Sequence, residues 1–252
     1  MEFYLPFILS LIAGLSTVFG AVLFYFYKSI TKNTLNFFLG MSAGVMVYLS
    51  FIELLPESIR HIGFTSGNIL FFVGILFMAL IDRFFPHHLI SKSGCKNGQC
   101  DHTLYTTGIM VAVGLALHNF PEGVTVFMGS FTNIEFGAVL AFAIALHNIP
   151  EGIAIAAPII AATGDKMKGL KYCFLAGVVE PIGGLCAYFL LRPYLSSDLI
   201  YVIFALVAGV MVYISFDELL PLCFKCEMKH IPITGITMGM MMAAFSIMFL
   251  NG

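Results

Sequence analysis

Eight apolar runs of about 20 residues, separated by short polar stretches, account for most of this chain. They fall at about 4–27, 35–57, 68–86, 104–130, 134–163, 169–191, 198–222 and 231–251. Each is long enough to cross a hydrocarbon layer as a helix, and the stretches between them are too short to hold a separate soluble unit. The expected fold is therefore an all-α polytopic membrane protein, one transmembrane domain over 1–252 with eight spans. The longest polar stretch, 87–103, shows no helical periodicity and is expected to be a loop.

Composition agrees. The chain is 60% hydrophobic and 10% charged, with mean hydropathy +0.97, whereas soluble domains carry about 25% charged residues. A net charge of −2 gives no footing for a nucleic-acid partner. No cleavable signal peptide is expected, because the first run is long enough to span and has no basic residue before it. Positive charge is unevenly shared between the two sides. The odd-numbered loops hold Lys28, Lys32, Arg83, Lys92, Lys96, Lys166, Lys168, Lys171, Lys225 and Lys229; the even-numbered loops hold Arg60 and Arg192. The positive-inside bias puts the odd loops in the cytoplasm and both termini outside. Four of the six cysteines (Cys95, Cys100, Cys173, Cys186, Cys223, Cys226) lie in or beside those cytoplasmic loops, which favours thiols over disulfides there.

The chemistry centres on a repeated motif. Ala116-Leu117-His118-Asn119-Phe120-Pro121-Glu122-Gly123 recurs 29 residues later as Ala145-Leu146-His147-Asn148-Ile149-Pro150-Glu151-Gly152, with seven of eight positions identical. A His and a Glu four residues apart share one helix face. Two such helices packed together offer two imidazoles, two Asn amides and two carboxylates, a ligand set for one or two divalent cations. A proline inside a helix cannot donate to the carbonyl four residues back, so the carbonyls of Leu117 and Leu146 are expected to be freed beside the site. The nitrogen content favours Zn²⁺, Fe²⁺, Mn²⁺, Co²⁺ or Cd²⁺ over Mg²⁺ or Ca²⁺.

A second repeat relates the second and seventh spans. Gly44–Pro56 and Gly209–Pro221 agree at eleven of thirteen positions. These spans are five apart and run in opposite directions. The simplest architecture is 3+2+3: spans 1–3 related to spans 6–8 by a pseudo-two-fold axis in the membrane plane, with spans 4 and 5 on that axis. Six acids fall within the spans: Glu53, Glu122, Glu151, Glu180, Asp217 and Glu218. Left ionised and unpaired at mid-membrane they would cost about 15–20 kcal/mol together. No Lys or Arg lies mid-span to pair with them, so protonation, hydration or bound cations must offset that cost. Glu180 precedes Pro181 and Gly183-Gly184, where another interrupted helix is expected.

With its paired His-Asn-x-Pro-Glu-Gly motifs, the chain resembles the ZIP (Zrt/Irt-like) metal transporters, and its compact length resembles their bacterial ZupT branch. The resemblance runs over essentially the whole chain. It implies import of zinc, and of iron, manganese, cobalt or cadmium, across the bacterial cytoplasmic membrane. It also implies a binuclear mid-membrane site of His118, Asn119, Glu122, His147, Asn148, Glu151 and Glu180. Met46, Glu53, Asp217 and Glu218 would then line the pathway, and spans 1, 4, 5 and 6 would rock against spans 2, 3, 7 and 8. Zinc would be cargo, with no cofactor; lipid is the expected surroundings, and a homodimer is compatible with the pattern. Where many relatives carry a long His-rich loop, this chain has only His87, His88, Cys95, Cys100 and His102, which suit either transient metal binding or a plain polar loop. The rival class is an intramembrane metalloenzyme built on the same ligands. It is weakened by the absence of His-Glu-x-x-His and Glu-x-x-His patterns and by the symmetry of the two copies. A metal sensor would need an output domain that this chain lacks.

Overall fold

The computed structural model describes residues 3–26, 31–84, 102–191, 197–224 and 230–251. All regular structure in them is helical. In chain order the elements are α1 (Tyr4–Phe26), α2 (Lys32–Leu49), α3 (Leu55–Ile62), α4 (Phe64–Phe84), α5 (His102–Thr132), α6 (Ile134–Thr163), α7 (Lys166–Leu191), α8 (Ser197–Ile214), α9 (Leu220–Cys223) and α10 (His230–Asn251). One π-turn, Ser50–Leu54, joins α2 to α3, and another, Ser215–Leu219, joins α8 to α9. Eight of the resulting rods are long and apolar enough to cross a membrane, as the hydropathy pattern predicts.

The boundaries have local causes. The side chain of Thr31 accepts from the Thr34 N–H and caps α2. Gly63, at φ 85°, turns the chain from α3 into α4 in a conformation that other residues resist. Asn133 caps α6 by accepting from the Glu135 N–H, and Gly164, at φ 67°, closes it. Asp165 then accepts from the N–H groups of Met167 and Lys168 and starts α7. α6 therefore spans the expected 134–163, whereas the third rod begins earlier than expected, at Phe64 rather than at 68.

The helices fall into two sets. α1, α5, α6 and α7 pack on one another, with α1 against α6 and α7, and α5 against the same two. Outside this set, α2 pairs with α10 and α4 pairs with α8; α2 and α10 lean on α6, and α8 leans on α5. α6 is central: 72% of its apolar window is buried, against 22% for α4 and 28% for α10. The outer faces of α4 and α10 are apolar, with Leu76, Phe77, Phe245 and Met248 all exposed.

Close approach between helices recurs in matched pairs. A Cβ placed on Gly44 would collide with the Ile236 carbonyl, and one on Gly209 with the Phe71 carbonyl. Likewise Gly74 faces the Leu206 carbonyl and Gly239 the Met41 carbonyl. In both cases the glycine moves on by 165 residues and its partner moves back by 165, so the α2–α10 and α4–α8 pairs use the same seam with the roles exchanged.

α7 corrects one expectation. It runs unbroken through Pro181 and Gly183-Gly184. These glycines serve packing instead: Gly183 lies against the Phe120 carbonyl and Gly184 against the Phe127 ring. α5 and α6 likewise continue as helix through Pro121 and Pro150.

Candidate metal centre

The repeated motif lies in the middle of α5 and α6, and its side chains meet between helices. Asn119, Glu122, His147, Asn148, Glu151 and Glu180 are all fully buried. His118 occupies its helical position in α5, and its side chain is not among those described. His147 pairs with Glu122 on the neighbouring helix, at 2.8 Å from Nε2 to Oε1. Its Nδ1 lies 3.2 Å from the Ala143 carbonyl. A carbonyl only accepts, so Nδ1 carries a hydrogen. The Nε2–Oε1 contact then needs a proton of its own, carried by one partner or the other. A cation bound by these two groups would have to displace that proton.

The asparagines are held from behind. Asn148 Nδ2 donates to the Ala13 carbonyl at 3.0 Å and to Glu180 Oε2 at 2.8 Å. Asn119 Nδ2 donates to the Ala176 carbonyl at 2.9 Å. Neither Asn119 Oδ1 nor Asn148 Oδ1 has a hydrogen-bond partner among the described residues. Leaving a buried polar atom unsatisfied costs about 1–3 kcal/mol. Two amide oxygens oriented in this way are neutral, hard donors for a cation.

These contacts expose a repeat that the sequence reading missed. Ala13-Gly14-Leu15-Ser16-Thr17-Val18-Phe19-Gly20 in α1 matches Ala176-Gly177-Val178-Val179-Glu180-Pro181-Ile182-Gly183 in α7 at the Ala and both Gly positions. Gly14 and Gly177 each face the other's carbonyl. Gly152 packs on the Thr17 carbonyl, and Gly123 on the Glu180 carbonyl. Thr17, fully buried, therefore stands where its counterpart is Glu180. The shared Ala-Gly-x₅-Gly spacing was the available signal, but three small residues in eight are common in helix contacts.

Ser42 also went unforeseen. It is fully buried in α2, and its Oγ donates to Glu151 Oε1 at 2.6 Å. Nothing in its sequence context distinguishes it from a packing serine.

Of the remaining candidates, Met46, Glu53, Asp217 and Glu218 lie on other elements. Met46 is buried, and its Sδ lies 3.7 Å from Ser215 Oγ. Glu53 is half-buried on the first π-turn, two helical turns beyond Met46. Asp217 is exposed on the second π-turn, and the side chain of its neighbour Glu218 is not described. His87, His88, Cys95 and Cys100 lie outside the described residues; His102 opens α5, with its side chain not described. Among the described residues no three His, Cys, Asp or Glu side chains converge as a metal cluster. Two contacts join candidate residues to each other: Glu122 with His147, and Asn148 with Glu180.

The two π-turns occupy the same position in the thirteen-residue repeat. Leu55 N–H bonds to the Ser50 carbonyl, and Leu220 N–H to the Ser215 carbonyl, five residues back in each case. Ser50 and Ser215 donate at 2.8 Å to the carbonyls of Met46 and Met211. The cause is the next residue. Pro56 and Pro221 have no N–H, so the ladder slips by one before it reaches them. The Phe51 and Phe216 carbonyls then receive neither their usual donor nor one from the proline.

Comparison of the sequence with known proteins points to one family. The model of the family described as ZIP zinc transporter matches residues 86–250. The zinc transporter ZupT of Chlorobium limicola is 41% identical over 263 residues, covering 99% of each chain. ZupT of Oceanobacillus iheyensis is 40% identical over 262 residues, covering 98% of each. ZupT of Clostridium perfringens is 40% identical over 271 residues, covering 97% of this chain and 95% of that one.

Proposed function

Since the chain belongs to the ZIP zinc transporter family, we propose that it imports zinc into the cytoplasm through the buried α5–α6 site. The chain is an integral membrane protein and a transporter rather than an enzyme, like the relatives it matches. The Glu122–His147 contact carries the reading. It brings one member of each motif copy together across two helices, in the interior, where a structural ion pair is weak support for stability.

In this reading zinc exchanges its hydration shell for His118, Asn119, Glu122, His147, Asn148, Glu151 and Glu180. The Glu122–His147 pair yields its proton to make room. Two amide oxygens and three carboxylates are enough for two ions, and iron, manganese, cobalt and cadmium suit the same donors. Met46, Glu53, Asp217 and Glu218 line the way to and from the site. We infer further that α1, α2–α3 and α4 are related to α7, α8–α9 and α10 by a pseudo-two-fold axis through α5 and α6. The matched glycine seams, the matched π-turns, and the matched bonds from Asn119 to Ala176 and from Asn148 to Ala13 support this. The positive-inside asymmetry supports both termini outside, in a bacterial cytoplasmic membrane.

The test is zinc influx into proteoliposomes loaded with a zinc-sensitive dye, comparing the wild type with His147→Ala. Saturable influx that is lost in the variant is expected. Tight zinc binding without influx in the wild type would refute transport, and unchanged influx in the variant would refute the site.

A further inference from the structure

Ser42 reaches the site from the other set of helices. Its helix, α2, closes on α10 through Gly40 and Gly44, where an added Cβ would strike the carbonyls of Pro232 and Ile236. Positions 40 and 44 share a helix face, and position 42 lies on the opposite one. α2 is thus pinned against α10 on one side and presents Ser42 to α6 on the other. The hydroxyl has one hydrogen, and that hydrogen goes to Glu151 Oε1 at 2.6 Å, between two fully buried side chains. The length is within the usual range for an O–H···O hydrogen bond. The residue after Glu151 is fixed as well, because Gly152 packs directly on the Thr17 carbonyl of α1. The backbone beside Glu151 is therefore set by one set of helices and its carboxylate by the other.

We propose that Ser42 is a positioning residue for the cargo, holding the Glu151 carboxylate in the orientation that receives zinc. This rests on the reading that Glu151 is a zinc ligand. An unanchored carboxylate in this position has to be oriented anew each time an ion binds, and that cost falls on affinity. Ser42 is a fixed neutral donor, so it orients the carboxylate without competing for the ion with a charge of its own.

The experiment is zinc binding to the purified full-length protein by competition with a chelating dye, together with uptake kinetics in proteoliposomes. The variants are Ser42→Ala, Glu151→Asp, the double variant and Glu151→Ala. Glu151→Asp keeps the charge but draws the carboxylate back by one methylene, out of reach of the hydroxyl. Ser42→Ala should weaken zinc binding about tenfold, the scale of one hydrogen bond to a charged group. It should raise the KM of uptake by a similar factor, with the maximal rate within about twofold. In the Glu151→Asp background the same change should add nothing, because its effect passes through the lost contact. Wild-type affinity in Ser42→Ala would overturn the proposal. So would a loss that multiplies with that of Glu151→Asp, since that is what a packing defect gives. Wild-type affinity in Glu151→Ala would instead remove Glu151 from the site and overturn the reading beneath the proposal.

Discussion

Replacing Gly123 by alanine tests whether the site depends on how closely α5 lies on α7. The added Cβ would fall 1.7 Å from the Glu180 carbonyl oxygen, whereas real Cβ atoms stay beyond 3.0 Å. The obstacle is backbone, so no rotamer can relieve it, and the helices must part by at least about 1.3 Å (3.0 less 1.7). That exceeds the tolerance of about 0.5 Å within which a binding constellation keeps its geometry. Because Glu122 and Glu180 lie on the two helices being separated, both ligand pairs are disturbed by one methyl. Overpacking of this kind costs about 1–3 kcal/mol, which in a chain of this size lowers the melting temperature by about 2–12 °C. The control is Gly169→Ala, whose Cβ would crowd the Ile160 side chain rather than a carbonyl and meets the Ala156 backbone only at ordinary contact distance, and which gains up to about 1 kcal/mol of helix propensity. Fluorescence-detected melting in detergent and dye-monitored zinc uptake would read both variants. Gly123→Ala should melt lower and lose most uptake, while Gly169→Ala should match or exceed the wild type. A Gly123→Ala protein with wild-type melting and uptake would refute the claim that this contact holds the site together.

Two further outcomes concern parts of the chain whose structure is not described. Deleting 91–101 should leave zinc uptake in place at a lower rate, because the central ligands lie elsewhere; complete loss in a protein that still melts cooperatively would make the loop essential. Single cysteines placed at either terminus of an otherwise cysteine-free chain should react with an impermeant maleimide from outside intact cells, and labelling only after permeabilisation would invert the orientation.

The membrane-spanning plan was legible because its signal is long. Twenty apolar residues in a row leave few readings, and α6 spans the residues that the pattern indicates. The motif residues were legible because an exact repeat of His, Asn, Pro and Glu in apolar surroundings needs a reason. What the repeat hid was the pairing. Two copies of the motif suggest a ligand set shared by two packed helices but do not say which side chains meet, and His147 meets Glu122 across the α5–α6 seam. Pairing depends on crossing geometry, which glycines such as Gly123 and Gly152 set from outside the ligand list. The π-turns were missed because Pro56 and Pro221 were read only as the ends of a repeat, and the slipped ladder at Ser50 and Ser215 is one relief of their missing N–H. Ser42 was invisible because the partner that gives it meaning is 109 residues away.

The exchange of Thr17 for Glu180 bears on what the two sides of the membrane can feel. If the halves are related as proposed, a fully symmetric site would look alike from either compartment, and cargo would load and leave with the same rate constants on both sides. The metal gradient would still set the direction of net flow, but saturation and product inhibition would be mirror images. A carboxylate on α7 and a hydroxyl at the matching place on α1 end that equivalence. On the proposed site, a cation would meet a carboxylate on one side and a hydroxyl on the other, so residence times would differ according to the direction of exit.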